Sequence, residues 1–329
     1  MRSALTRLAP RGPTLLALGI LLGLAFPALA DWARPLMPAT IFLIVLGTLL
    51  RIDVEAVIAA IRRPSLSVFL PATVMVASPA LAGAAGHLLG LDQALALALV
   101  LAVSAPPSSG TTAVARMLGL DGAAPLVVTF LSMALAPVTV PLLADWFGGL
   151  QINPLDLALR LALLIGGAEG VALVLRRRAA TVLSKHGAVV DGVIVAALLI
   201  FALAAMAGVR AQIAGDPGAA VLCLALAFAC NLALQAVGAF LLSGSLRERL
   251  TVGLILGNRN VGLVWSALGA AASPRMALYF AATQLPIYTL PRLIATVIAW
   301  SEAQTRARQC ECAKPPHERD VDDNPEAHL

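Results

Sequence analysis

The chain has 329 residues, 60% of them hydrophobic and only 12% charged, with a formal net charge of +5. A soluble domain carries about 25% charged residues, so this composition excludes an ordinary soluble fold and describes a polytopic membrane protein. The excess positive charge does not point to nucleic acid, because the basic residues sit in short loops between apolar runs.

A helix needs about 20 apolar residues to cross the hydrocarbon core. Ten such runs follow one another, at about 13–30, 36–50, 65–89, 93–118, 122–147, 154–175, 187–209, 218–243, 248–271 and 276–300. The second is short, and extends back through Arg34-Pro35 or forward by a turn. Residues 1–12 form a basic N-terminus, and residues 301–329 read as a polar, mostly disordered tail. The first run has a second reading: a basic start, an apolar stretch and Ala28-Leu29-Ala30 before Asp31 also describe a signal peptide.

With ten spans, one side of the membrane receives the N-terminus, the loops near 51–64, 116–121, 176–186 and 244–249, and the tail. That side holds seventeen of the 23 Lys and Arg residues. The other side holds Arg34, Arg210 and Arg275, and Arg160, Arg259 and Arg292 fall inside spans. The bias places both termini in the cytoplasm of a cell whose inner membrane the chain spans.

Two spans are interrupted. The fourth carries SAPPSSGTT at 104–112, where Pro106 and Pro107 remove two backbone donors and Ser108, Ser109, Gly110, Thr111 and Thr112 follow. The ninth carries GNRNVG at 257–262, with Asn258, Arg259 and Asn260 in place of apolar residues. One is the fourth helix of the first five; the other is the fourth of the second five. Unwound backbone at membrane depth survives only where protein or a water-filled cavity covers it. Paired interruptions in corresponding positions of two halves point to a substrate site at the midplane. An odd number of spans per half inverts the second half, so the fold expected is all-α: two inverted five-helix repeats, about 13–147 and 154–300, with crossed, broken helices 4 and 9. Half-helix N-termini and free amides at the crossing favour an anion.

Other polar residues lie in the spans. Glu169 and Asp191 are proton-relay candidates, or they reach the basic loops nearby, since seven residues of helix is only about 10 Å. Asp156 and Arg160 are spaced i, i+4 and are expected to pair. Asn231 and Gln235 share a face of the eighth span and either reach the crossing or join helices. Gln284, Tyr288 and Arg292 recur every four residues along the tenth span, as the lining of a pathway would. Four cysteines are too few for a disulfide framework. Cys223 and Cys230 read as packing residues, and Cys310 and Cys312 alone are half of a metal clamp, so no metal or other cofactor is expected.

These features resemble the bile acid:sodium symporter family of secondary transporters across most of residues 13–300. Pro107-Ser108-Ser109-Gly110-Thr111 is similar to the family's fourth-helix break. TFLSMALAP at 129–137 is similar to its Thr/Ser-rich fifth helix and adds Thr129 and Ser132 as coupling candidates. Arg259-Asn260-Val261-Gly262 is similar to the end of its ninth-helix stretch, and AFPALADWARPLMPATIFLIVLGTLLRID at 25–53 to its first loop and second helix. The resemblance implies a panel of spans 1, 2, 6 and 7 and a core of spans 3–5 and 8–10. It also implies symport of an organic anion. Where sodium-coupled members carry a ninth-helix glutamate, this chain has Ile255. A glutamine is replaced by Arg259, an asparagine by Ala113, and a third-helix glutamine falls near Val74. An apolar residue supplies no ligand to sodium, and a cation already in place repels another by roughly 4 kcal/mol at 4 Å and an effective dielectric of about 20. The coupling ion is therefore open between sodium, a proton and none.

Three roles remain for Arg259: a bidentate anchor for a substrate carboxylate or sulfonate, a built-in cation holding the crossing closed, or an ion-pair partner of Glu169 or Asp191 that only fixes packing. A phosphate-binding loop, an aspartate-rich metal motif inside the membrane and a His-Glu-x-x-His pair are all missing from the sequence. The chain is thus expected to be a carrier rather than an ATP-driven pump or an intramembrane enzyme, with an organic anion and membrane lipids as partners.

Overall fold

The protein is described by a computed structural model that covers residues 12–50, 54–149 and 152–313. Two compact units divide the chain, Met1–Tyr288 and Thr289–Leu329. The helices are α1 (Gly12–Ala25), α2 (Pro27–Leu50, with a 3₁₀ turn at Arg34–Leu36), α3 (Val54–Ile61) and α4 (Ser65–Leu88). Then come α5 (Gln93–Ser104), α6 (Thr111–Met117), α7 (Ala123–Phe147), α8 (Pro154–Arg178) and α9 (Ala180–Lys185). The remainder are α10 (Gly187–Ala204), α11 (Val209–Gly215), α12 (Pro217–Leu241), α13 (Leu246–Gly257), α14 (Val261–Leu268) and α15 (Pro274–Ala313).

Among the described residues, six helical stretches are long and apolar enough to cross a membrane: α2, α4, α7, α8, α10 continued through α11 to Gly215, and α12. This is an integral membrane protein built of helices. The second predicted run proves longer than 36–50, because helix continues back to Pro27 through the turn at Arg34–Leu36. Pro35 is tolerated there, where a missing N–H costs little. The predicted tail also starts later than 301: α15 remains helical to Ala313, and the rest of 301–329 lies outside the described residues.

The helix starts are written in the sequence. Asp92 accepts from Leu95 N at the start of α5, Asn153 from Leu155 N before α8, and Asp216 from Ala219 N before α12. Pro154 and Pro217 occupy the first turns that follow. Ser245 and Glu248 close a reciprocal capping box on α13. Arg275 bridges two of these caps, 3.4 Å from Asp92 and 3.6 Å from Asp216.

Packing follows small residues. Helix α1 lies on α10, where a Cβ on Gly19 would meet Leu199 O at 2.8 Å and one on Gly23 would meet Leu203 O at 2.8 Å. Helix α2 packs on α8 and α10, and α7 on α8. Helices α12 and α13 share the most extensive contact, because Gly238 and Gly253 let the backbones touch: a Cβ on Gly238 would lie 2.8 Å from Val252 O. In an apolar solvent such close van der Waals packing, not the hydrophobic effect, holds helices together. Gly238→Ala should therefore lower stability by about 1–3 kcal/mol. Gly166→Ala on α8, where nothing lies within 4 Å of the added carbon, should not. Thermal unfolding of the purified protein in detergent checks both.

Candidate functional site

Both predicted interruptions are real breaks, and they meet. Helix α5 ends at Ser104 and α6 starts at Thr111; α13 ends at Gly257 and α14 starts at Val261. The two connecting segments pair as a short antiparallel bridge between Pro107 and Arg259. Ser108 N donates to Asn258 O at 2.7 Å, and Asn260 N donates to Pro106 O at 2.7 Å. Each unwound segment thus satisfies backbone groups that the other leaves free, which is what membrane depth demands. The prolines fix which groups take part: Pro106 and Pro107 have no N–H, so their segment offers a carbonyl at 106 and its first amide at 108.

Arg259 lies at the centre and is only 3% exposed. Its Nε donates to Leu256 O at 2.7 Å, and one Nη donates to Val74 O at 3.0 Å and Ala105 O at 3.4 Å. All three acceptors are backbone carbonyls made available by broken helix geometry. Leu256 lies in the last turn of α13 and Ala105 caps the end of α5. Val74 sits in a π turn at Thr73–Ala77, where Ser78 N bonds Thr73 O instead. The next amide that Val74 O could reach belongs to Pro79, which has none. The guanidinium therefore ties three segments together, with two helix C-termini among its partners, the end of a helix that favours a cation. Neither Glu169 nor Asp191 is bonded to it, so the ion-pair reading of Arg259 is corrected.

The neighbouring polar residues fall into two groups. Asn231 Nδ2 donates to Gly257 O at 2.8 Å and Gln235 Nε2 donates to Asn231 Oδ1 at 2.6 Å, so this face of α12 reaches the crossing and caps α13 there. Asn260 caps α14 by accepting from Leu263 N. Other buried polar atoms have no partner: Ser109 Oγ, Thr111 Oγ1, Thr129 Oγ1, Ser132 Oγ, Asn258 Oδ1 and the second Nη of Arg259. Thr129 and Ser132 lie on α7, which packs against both α6 and α13. Ser108 and Thr112 are half-buried and Gly110 is exposed, so one flank of the crossing is open. Ile255 is fully buried, while Ala113 is exposed.

Several expectations are redrawn. Arg160 does not pair with Asp156; one Nη donates to Ala267 O at 3.3 Å and Leu268 O at 3.4 Å, placing a cation on the C-terminus of α14. Gln284 is buried and donates to Phe280 O and Thr283 Oγ1, and Tyr288 packs on the core. Neither lines the small cavity beside Arg259. The residues of α15 that do so are Tyr279, Thr283, Pro286 and Ile287, a face rotated from the one the polar spacing suggested. Arg292 belongs to the second unit, where its side chain is exposed. Glu169 is half-buried with Oε1 enclosed and unpartnered. Asp191 is half-buried.

A scan of family models finds no match to the chain, and a search of curated proteins finds none either. The geometry itself therefore carries the functional argument.

Removing the guanidinium would strand three buried carbonyls, each costing about 1–3 kcal/mol. Arg259→Met should lower stability by about 3 kcal/mol or more. Arg160→Met, which frees two carbonyls through longer and partly exposed bonds, should cost about 1 kcal/mol. Denaturation monitored in one detergent gives both values.

Proposed function

We propose that the chain is a secondary active transporter that moves a small or amphipathic organic anion by alternating access. In this reading its ten spans form two inverted five-helix repeats of the bile acid:sodium symporter type. The crossing of the interrupted helices is the pivot and the substrate site lies beside it. Two features support the arrangement. The interrupted helices are fourth in each half by sequence, and their unwound segments bond to each other. The helices α1, α2, α8 and α10, which correspond to the expected panel, pack on one another in pairs. The chain is a carrier in this reading, with no catalytic step.

The observation that carries the reading is Arg259: buried, without a carboxylate partner, and bonded to three carbonyl oxygens from three segments. Main-chain oxygens at unwound helix ends are the ligands a transporter offers to sodium. Here a side-chain cation takes them. Arg259 is thus the built-in cation of the crossing, and substrate approaches the open flank at Ser108, Ser109, Gly110 and Thr112 under its positive potential. Transport is then independent of sodium. A second reading, proton coupling, is favoured by one specific observation, the enclosed and unpartnered carboxyl oxygen of Glu169 at membrane depth.

Uptake of candidate organic anions into proteoliposomes, with sodium replaced by potassium, tests the proposal. Uptake should proceed equally in both salts. Arg259→Lys keeps the charge but loses the planar fork that reaches three carbonyls, and should slow uptake at least tenfold. Strict sodium dependence would overturn the assignment of Arg259 as the cation. Acceleration by an inward proton gradient, abolished in Glu169→Gln, would select the proton-coupled form.

A further inference from the structure

The four half-helices at the crossing differ in what they touch. Helix α5 packs on α4 and α7, α6 on α7 and α13, and α13 on α12 and α7, all within the expected core. Helix α14 also packs on α2 and α8 of the expected panel. Gly262 makes that approach close: a Cβ there would meet the Phe201 ring of α10 at 2.5 Å and Ile41 Cδ1 of α2 at 3.0 Å. Phe201 and Ile41 are both buried. By contrast, α6 leaves Ala113 and Met117 exposed, as is Gly110 just before it.

At its far end α14 is held by Arg160 of α8, whose Nη donates to Ala267 O and Leu268 O. Other arginines serve helix ends as well, but inside the panel: Arg176 of α8 donates to Leu49 O of α2, and Arg210 of α11 to Ala25 O of α1. The bonds of Arg160 run instead from the panel to a half-helix of the core. They are long, at 3.3 and 3.4 Å, and the side chain is exposed. Arg259 is buried, and two of its bonds measure 2.7 and 3.0 Å. Breaking the Arg259 bonds strands buried groups; an exposed guanidinium can exchange its carbonyls for water. Arg259 is thus built to stay attached and Arg160 to let go.

We propose that Arg160 is the latch of a gate on the outer side of the membrane, which closes α14 against α2, α8 and α10. The inference rests on the proposed carrier reading and on the orientation that puts the basic loops in the cytoplasm. In that orientation α6 is the inner half of the fourth span and α14 the outer half of the ninth. The flank from Ser108 to Thr112 then opens to the cytoplasm while α14 shuts the outer side, the inward-facing state of an alternating-access cycle. Substrate passes outside only when Arg160 releases α14 and the contact of Gly262 with Phe201 and Ile41 parts. The Arg160 bonds exist in one state and not in the other, so they bias the balance between the two.

Ile41→Cys places a thiol in the buried wall of the gate. In spheroplasts of the expression host, a membrane-impermeant maleimide added outside reaches that thiol only through an open gate, and the parent protein without the added cysteine gives the background. Labelling should be slow when Arg160 is present and about fivefold faster or more when Arg160→Met is added. Arg160→Lys, which keeps a cation at the helix end, should fall between. Arg210→Met, which releases a cap inside the panel, should change nothing. Phe201→Cys, on the α10 wall, repeats the measurement if Ile41→Cys does not fold. A residue that only caps α14 would fray its last turn and lower the melting temperature, leaving the introduced thiol as slow as before; that result would overturn the latch. Faster labelling without uptake of any organic anion keeps the gate and removes the substrate assignment. Uptake with labelling unchanged removes the latch and leaves the carrier reading.

Discussion

The structure turns on one constraint: backbone that leaves the helical ladder inside a membrane must find partners within the protein. The segments around Pro107 and Arg259 meet it by bonding to each other, and Arg259 meets it for three carbonyls that no amide can reach. Everything near the crossing is arranged around that requirement. Asn231 serves the last carbonyl of α13, Asn260 serves the first amides of α14, and Arg160 serves the carbonyls at the other end of α14. An interrupted helix has twice as many ends as an unbroken one, and here almost every end has been given a side chain.

The same logic explains how much could be read in advance. The breaks were legible because Pro-Pro and a charged residue are incompatible with an apolar helix. That they touch agrees with the expectation drawn from their places as the fourth of the first five apolar runs and the fourth of the last five. The partners of Arg259 were not legible, since they are main-chain atoms. Val74 reads in sequence as an apolar residue, and only the π turn before Ser78-Pro79 frees its carbonyl. The nearest clue was the proline itself, which removes the amide that would have closed the ladder.

Spacing also misled where it was used without a neighbour. Asp156 and Arg160 are correctly spaced for a pair, yet the arginine instead bonds the carbonyls at the C-terminus of α14, the end of a helix that favours a cation. Gln284 and Tyr288 do share a face of α15, but periodicity says which residues lie together and not which way that face points. The cavity is instead met by Tyr279 and Thr283, which read as ordinary packing residues. The extension of α2 back to Pro27 shows the converse case, where a proline within a run marks a tolerated turn and not an end.

A tethered cation and a bound sodium ion stabilise the same oxygens, but they differ as sources of work. An ion contributes a driving force because its concentration differs across the membrane, so its binding shifts the balance between inward-facing and outward-facing states by an amount set by that difference. A side chain is present at the same effective concentration in every state and contributes only its differential contacts. In the proposed carrier Arg259 can therefore hold the crossing together and shape its potential, yet supply none of the energy for uphill transport. That separation of structural from energetic roles is what makes the remaining unpaired groups informative. In the proposed carrier any energy source must act through a species that leaves and returns, and the candidates are a proton at Glu169 and the substrate itself.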